Sequence, residues 1–163
     1  MTLRRLGPSD AEALQRLRIE AFRLEPHAFR YAPEDEAAIR PAEWAARLER
    51  DVVLGVFIGQ ELAGAAGLTV FEGAKVRHKA LLWGMYLRAA HRSSGVADEL
   101  MAALLAQARE KAEIVTLTVI DQNARAKRFY QRWGFETYGV ERRAVKLEDG
   151  AYLDEALMAR PLT

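Results

Sequence analysis

Apolar residues fall at helical spacing along the first third of this chain and then change to the alternating and continuous runs of strands. Leu3 to Leu6 reads as a short first strand, and Pro8-Ser9-Asp10 opens a helix on which Leu14, Leu17, Arg18 and Phe22 recur at helical spacing, with Ala13 and Ala21 beside them. Pro26 closes that helix or marks a bend. Pro33 followed by Glu34-Asp35-Glu36 reads as the acidic first turn of another helical piece, and Pro41 to Arg50 as a short helix with Trp44 and Leu48 on one face. From Val52 the period shortens. Val52 to Ile58, a Gly59-Gln60 turn and Leu62 to Phe71 form a predicted hairpin, and Lys79 to Leu87 is a longer strand. Val96 to Lys111 is amphipathic, with Val96, Leu100, Leu104 and Ala108 in one row.

The C-terminal third continues the alternation. Ile114 to Ile120 is a β-branched run of the kind expected for a strand buried on both faces. Asn123 to Trp133 reads as a helix stopped by Gly134, and Phe135 to Val140 with Val145 to Leu147 reads as one bent strand. Gly150 turns the chain into a last strand from Ala151 to Met158. The strand–helix–strand unit from Lys79 to Ile120 requires a parallel pair with a right-handed crossover, while the hairpin before it requires antiparallel neighbours. The fold class is therefore α/β with a mixed sheet, and the 163 residues, 50% hydrophobic, are expected to form one domain from 1 to 163.

Charge and cysteine content narrow the chemistry. The formal net charge is +1 with acids and bases dispersed, so no basic stripe marks a nucleic-acid partner. There is no cysteine, which excludes disulfides, thiolate metal sites and an acyl-cysteine intermediate, and fits a reducing cytoplasm. The N-terminal MTLRRLGPSDAEAL has no continuous apolar segment, and no apolar run approaches bilayer length, so a soluble cytoplasmic protein with no membrane partner is expected.

The most informative segment is Met85 to Leu100, MYLRAAHRSSGVADEL. A strand runs through the small-residue loop Arg92-Ser93-Ser94-Gly95-Val96-Ala97 into a helix. The first N–H groups of a helix lack intrahelical partners, and the macrodipole adds partial positive charge there. Such a loop is a site for phosphate, with Arg92 at its mouth. It lacks the Gly-Lys-Ser/Thr ending of a P-loop and the three-glycine dinucleotide pattern, so another kind of nucleotide site is remote. Asp98 and Glu99 sit in the first helical turn, where acids complement the dipole.

Together with Asn123, Ala126, Phe129-Tyr130 and Gly134-Phe135 downstream, this loop resembles the GNAT N-acetyltransferases, which use acetyl coenzyme A to acetylate an amine. The resemblance covers the chain from about Val52 onward in element order, with a looser match before it. It implies a mostly antiparallel central sheet, flanked by helices, whose one parallel pair is splayed at the cofactor. It implies that Arg92, Ser93, Ser94, Gly95, Val96 and Ala97 wrap the coenzyme A pyrophosphate, and that pantetheine lies beside Met85, Tyr86 and Leu87, with Asn123, Ala126 and Phe129 along the arm. A Ser at 93 and an Ala at 97 and 89 depart from the family's frequent Gly, Gly and Pro. Ser93 suits the loop if its φ is negative, and Ala97 still permits close backbone approach.

The catalytic roles follow from the same resemblance. The backbone amide near Leu87 faces the thioester carbonyl as an oxyanion-type donor, worth roughly 3 kcal/mol in a transition state. Tyr130 is the candidate acid toward the departing thiolate; with reference pKa values of about 10 and 8.5, full transfer is uphill by roughly 2 kcal/mol. Asn123 also reads as a helix N-cap and Tyr130 as a core aromatic, and those readings stand beside the functional ones. For a base, Glu72 and His78 are both open, as is water. Phe29, Tyr31 and Glu34 to Glu36 are candidates for the acceptor cleft. The acceptor is a small-molecule or peptide amine, no metal is required, and dimerisation is common in the superfamily. A non-catalytic acyl-CoA-binding module of the same fold is the alternative.

Overall fold

The computed structural model describes residues 1–163. Seven strands form one sheet: β1 (Thr2–Arg5), β2 (Val52–Ile58), β3 (Glu61–Val70), β4 (Lys79–Leu87), β5 (Ile114–Ile120), β6 (Glu136–Lys146) and β7 (Tyr152–Pro161), in the spatial order β1-β2-β3-β4-β5-β7-β6. Every neighbouring pair is antiparallel except β4 and β5. The helices are α1 (Ala11–Leu24), α2 (Pro33–Ala37), α3 (Pro41–Arg50), α4 (Val96–Arg109) and α5 (Ala124–Arg132). None is long and apolar enough to cross a membrane.

Two apolar clusters lie on the two faces of the sheet. On one face, Leu100, Leu104, Leu105 and Ala108 of α4 pack on Leu54, Leu68, Leu82, Val115 and Leu117. On the other, Leu14, Leu17 and Phe22 of α1 and Trp44 and Leu48 of α3 pack with Val53, Leu62, Ala65 and Tyr86. Alternation along β2 and β3 sends neighbouring side chains to opposite layers, which is why both strands are buried on both faces.

β4 and β5 part company early. They pair only through Lys79↔Ile114, Ala80↔Val115 and Leu81↔Thr116, although both strands run on to Leu87 and Ile120. The cause lies in β4, where Gly84 and Met85 stand opposite the single residue Ala66, between the pairs Gly67↔Trp83 and Ala65↔Tyr86. The extra residue makes a bulge that bends the strand, and Gly84 takes it with φ +62°, a left-handed conformation that costs a residue with a Cβ.

The opening corrects the expectation for β5. Its Val115, Leu117 and Val119 are buried, but Thr118 is exposed, because beyond Thr116 no strand covers that edge. β6 is one strand, bent as expected, with its register broken between Glu141 and Val145 around Arg143 at φ +53°.

Candidate active site

A cavity of about 430 Å³ opens where β4 and β5 diverge, on the α4 and α5 side of the sheet. Its lining includes Met85, Tyr86, Leu87, Arg92, Ser93, Gly95, Ala97, Asn123, Ala126, Phe129 and Tyr130. Two of the residues singled out in the loop lie outside it. The Ser94 hydroxyl donates to the His91 carbonyl at 2.6 Å, and the Val96 side chain points into the core.

The loop itself is a row of free donors. The amide of Arg92 bonds the Ala89 carbonyl, and the next paired amide is that of Glu99, which bonds the Gly95 carbonyl at 3.0 Å. The N–H groups from Ser93 to Asp98 therefore have no backbone acceptor. They sit where the α4 dipole is positive, which suits an oxyanion. Gly95 turns the chain at φ +86°. Ser93 does so too, at φ +62°, so the condition of a negative φ is not met. A left-handed non-glycine residue costs about 1 kcal/mol or more, so the loop holds Ser93 against its preference.

Arg92 is anchored rather than free. Its Nε donates to the Leu87 carbonyl at 2.7 Å, its Nη1 lies 2.7 Å from Glu25 Oε1, and its guanidinium sits 5.5 Å from the Tyr86 ring centre. Leu87 turns its polar groups the same way. Arg88 N–H donates to the Ala63 carbonyl at 3.0 Å, so strand alternation aims the Leu87 N–H and C=O away from β3, toward the gap.

Asn123 caps α5, its Oδ1 accepting from the Ala126 N–H at 3.2 Å. The first turn of α5 thereby faces the cavity. Tyr130 is buried between Phe129 and Phe135, with ring centres 5.6 and 5.9 Å away. Its hydroxyl makes no hydrogen bond within the chain, and burial pushes its pKa up to about 12. Asp98 does more than complement a dipole. It accepts from Arg132 Nη2 at 2.7 Å and Trp133 Nε1 at 2.8 Å, fixing the start of α4 against the end of α5.

A second cavity, of about 420 Å³, lies on the α1 and α3 side and shares Phe29, Leu82, Trp83, Gly84, Thr118 and Val119 with the first. The two meet through the opening between β4 and β5. Phe29 and Tyr31 line this second space, whereas Glu34 to Glu36 do not. Glu36 is not a solvated acid: it is 2% exposed and accepts from Arg18 Nε at 3.0 Å. Arg18, on the apolar face of α1, lies 5.1 Å from the ring centres of both Phe22 and Trp44 and 5.4 Å from Trp83. Burial pulls its pKa below the usual arginine range, against the pull of Glu36.

Two further carboxylates are buried at this cavity, both engaged. Asp51 takes Arg50 Nε at 2.9 Å and the Thr69 hydroxyl at 2.9 Å, and Thr69 Oγ1 in turn accepts from Trp83 Nε1 at 2.8 Å. Glu155 takes Arg30 Nη2 at 2.6 Å. Sequence reading missed this set because its members come from α1, α2, α3, β3, β4, β7 and the loops at Arg30 and Asp51; the one local signal was an arginine in the apolar stripe of α1. Glu72 and His78, the two candidate bases, line neither cavity. No three His, Asp or Glu side chains gather in a set that could hold a metal ion.

A sequence model of the acetyltransferase (GNAT) family matches residues 12–135, from α1 to the residue before β6. The chain belongs to the GNAT acetyltransferase family. Among curated proteins no sequence matches it. Solved acetyltransferase structures share its fold over almost their whole length. A GNAT-family acetyltransferase from Streptococcus pneumoniae superposes with a TM-score of 0.87 at 23% identity, covering 98% of each chain. A putative acetyltransferase from Salmonella typhimurium, solved with acetyl-CoA, gives 0.81 at 22% identity, covering 100% of this chain and 94% of that one. A ribosomal-protein-alanine N-acetyltransferase from Brucella melitensis gives 0.80 at 22% identity, covering 99% of each. At these identities the likeness is one of fold.

Proposed function

We propose that this GNAT protein, one domain from residue 1 to 163, is an N-acetyltransferase that moves an acetyl group from acetyl-CoA to a primary amine by direct attack on the thioester. The observation that carries the reading is the meeting of two cavities across the gap between β4 and β5. One side offers a row of unpaired amides for phosphate, and the other is a separate space for an acceptor.

In this reading the pyrophosphate lies on the amides from Ser93 to Asp98, and pantetheine enters the gap as an added strand would, pairing with the free edge of β4. The Leu87 N–H faces the thioester carbonyl and stabilises the oxyanion as the amine nitrogen bonds to the carbonyl carbon. The C–S bond then breaks and the thiolate leaves. Tyr130, with its hydroxyl unengaged, donates a hydrogen bond to the sulfur. A phenol held at a pKa of about 12 is a poor source for complete proton transfer, so stabilising the thiolate is its main contribution. Asp51 and Glu155 are committed to arginines and Glu72 and His78 lie elsewhere, so the amine proton passes to water. The absence of cysteine fits direct transfer without an acyl-enzyme, and fits a cytoplasmic location.

Acetyl-CoA is expected to raise the melting temperature, and Gly95→Glu, which places a carboxylate among the phosphate-facing amides, is expected to abolish the shift. Release of coenzyme A thiol with a panel of amines then separates an enzyme from a binding module; with no cysteine in the chain, the protein adds no thiol background. No stabilisation by acetyl-CoA would remove the reading altogether.

A further inference from the structure

The second cavity carries a charge pattern that the acetyl-transfer reading does not require. Arg18, Arg30, Arg47 and Arg50 line it, against Asp51 and Glu155. Even with Glu36 counted behind Arg18, one guanidinium is left over. It is Arg47, which forms no ion pair and lies 5.0 Å from the Trp44 ring centre, the same ring that Arg18 approaches at 5.1 Å.

Arg18 is the better placed of the two. Its side chain is 12% exposed, and only its Nε is engaged, by Glu36. Its Nη groups make no hydrogen bond within the chain. Nη1 lies 2.5 Å from the point where a Cβ on Gly84 would stand, so the guanidinium abuts the bulge at which the two cavities join. A buried arginine with free donors at that place is a receptor for an oxyanion beside the reacting centre. The surrounding walls, Phe22, Phe29, Tyr31 and Trp83, are aromatic.

Resting on the N-acetyltransferase reading, we infer that the acceptor is a small amino-acid-like amine: a primary amine whose neighbouring carbon bears a carboxylate, with an apolar side chain. Arg18, seconded by Arg47, holds the carboxylate. An anion seated at Gly84 puts an amine one carbon away at the gap between β4 and β5. An apolar side chain lies against the aromatic walls, and a volume of about 420 Å³ accommodates a molecule of that size. Polyamines and aminoglycosides would instead bring further ammonium groups against the uncompensated Arg47 guanidinium.

The test is steady-state acetylation of matched acceptors with acetyl-CoA: phenylalanine and leucine against their amides and against the decarboxylated amines, phenethylamine and isoamylamine. The carboxylate-bearing member is expected to be favoured in kcat/KM by about tenfold or more, the change lying mainly in KM. R47Q is expected to cut that preference severalfold. The pair R18Q/E36Q, which removes both buried charges without stranding one, is expected to abolish it. Equal or better use of the amides or decarboxylated amines, or a preference unchanged in R47Q, would overturn the inference while leaving the acetyltransferase reading intact. If no acceptor in the panel turns over although acetyl-CoA binds, thermal stabilisation of the CoA complex is compared for N-acetyl-leucine and N-acetyl-isoamylamine. Selective stabilisation by the former supports the inference, and equal response refutes it. Failure of acetyl-CoA to bind would instead sink the acetyltransferase reading.

Discussion

Arg92 donates from Nε to the carbonyl of Leu87 at 2.7 Å, tying the loop before α4 to the end of β4. The side chain that sequence reasoning aims at phosphate thus holds together the two backbone segments that would face pyrophosphate and thioester. Arg92→Met is expected to loosen both at once. Loss of a partly buried, charge-assisted bond should weaken acetyl-CoA binding about tenfold, and isothermal titration of wild type and variant measures it. Arg92→Lys cannot reach Leu87 and Glu25 with one planar group, and should recover little.

The loop is also strained at Ser93. Replacing it with glycine releases a left-handed cost of about 1 kcal/mol but adds freedom to the unfolded chain of similar size. Ser93→Gly should therefore leave urea-denaturation stability nearly unchanged, while Ser93→Val, β-branched at φ +62°, should lower it by at least about 1 kcal/mol.

Gly84 is less forgiving. Alanine there would keep φ +62° and press its Cβ to 2.5 Å from Arg18 Nη1, a group that Glu36 holds in place. Gly84→Ala is expected to cost about 2 kcal/mol or more in chemical denaturation and to lower activity beyond what lost stability explains.

Tyr130 gives a pH-dependent prediction. Its pKa rises from 10.0 to about 12 on folding, so the folded chain keeps this proton where the unfolded chain has released it. The stabilisation is fully present below pH 10 and is lost as the pH climbs toward 12, a change of about 3 kcal/mol. Tyr130→Phe should flatten that alkaline loss in melting experiments and should lower turnover far more than acetyl-CoA affinity. Turnover equal to wild type would remove the hydroxyl from the mechanism. Any basic limb of the rate profile below pH 10 must then belong to another group.

The loop and strand-end residues that line the first cavity were legible because they are contiguous in sequence. A strand end, a small-residue loop and a helix start occupy Met85 to Ala97, and Asn123 caps the helix that carries Tyr130. Local rules of capping and turn chemistry act over such distances. The lining of the second cavity was not legible, because Arg18, Arg47, Asp51, Trp83 and Glu155 meet only through tertiary packing. Glu36 reads in sequence only as part of an acidic first turn, since nothing nearby announces Arg18 as its partner. The exposure of Thr118 was hidden for the same reason: a β-branched run reports strand, not where its neighbour bends away.

The bulge at Gly84 has a kinetic consequence. By prising β4 from β5 it joins two cavities of different lining, so in the proposed reaction acetyl-CoA and amine would occupy separate spaces. Neither must leave before the other arrives, and initial-rate lines for varied acetyl-CoA at several fixed amine concentrations should intersect rather than run parallel.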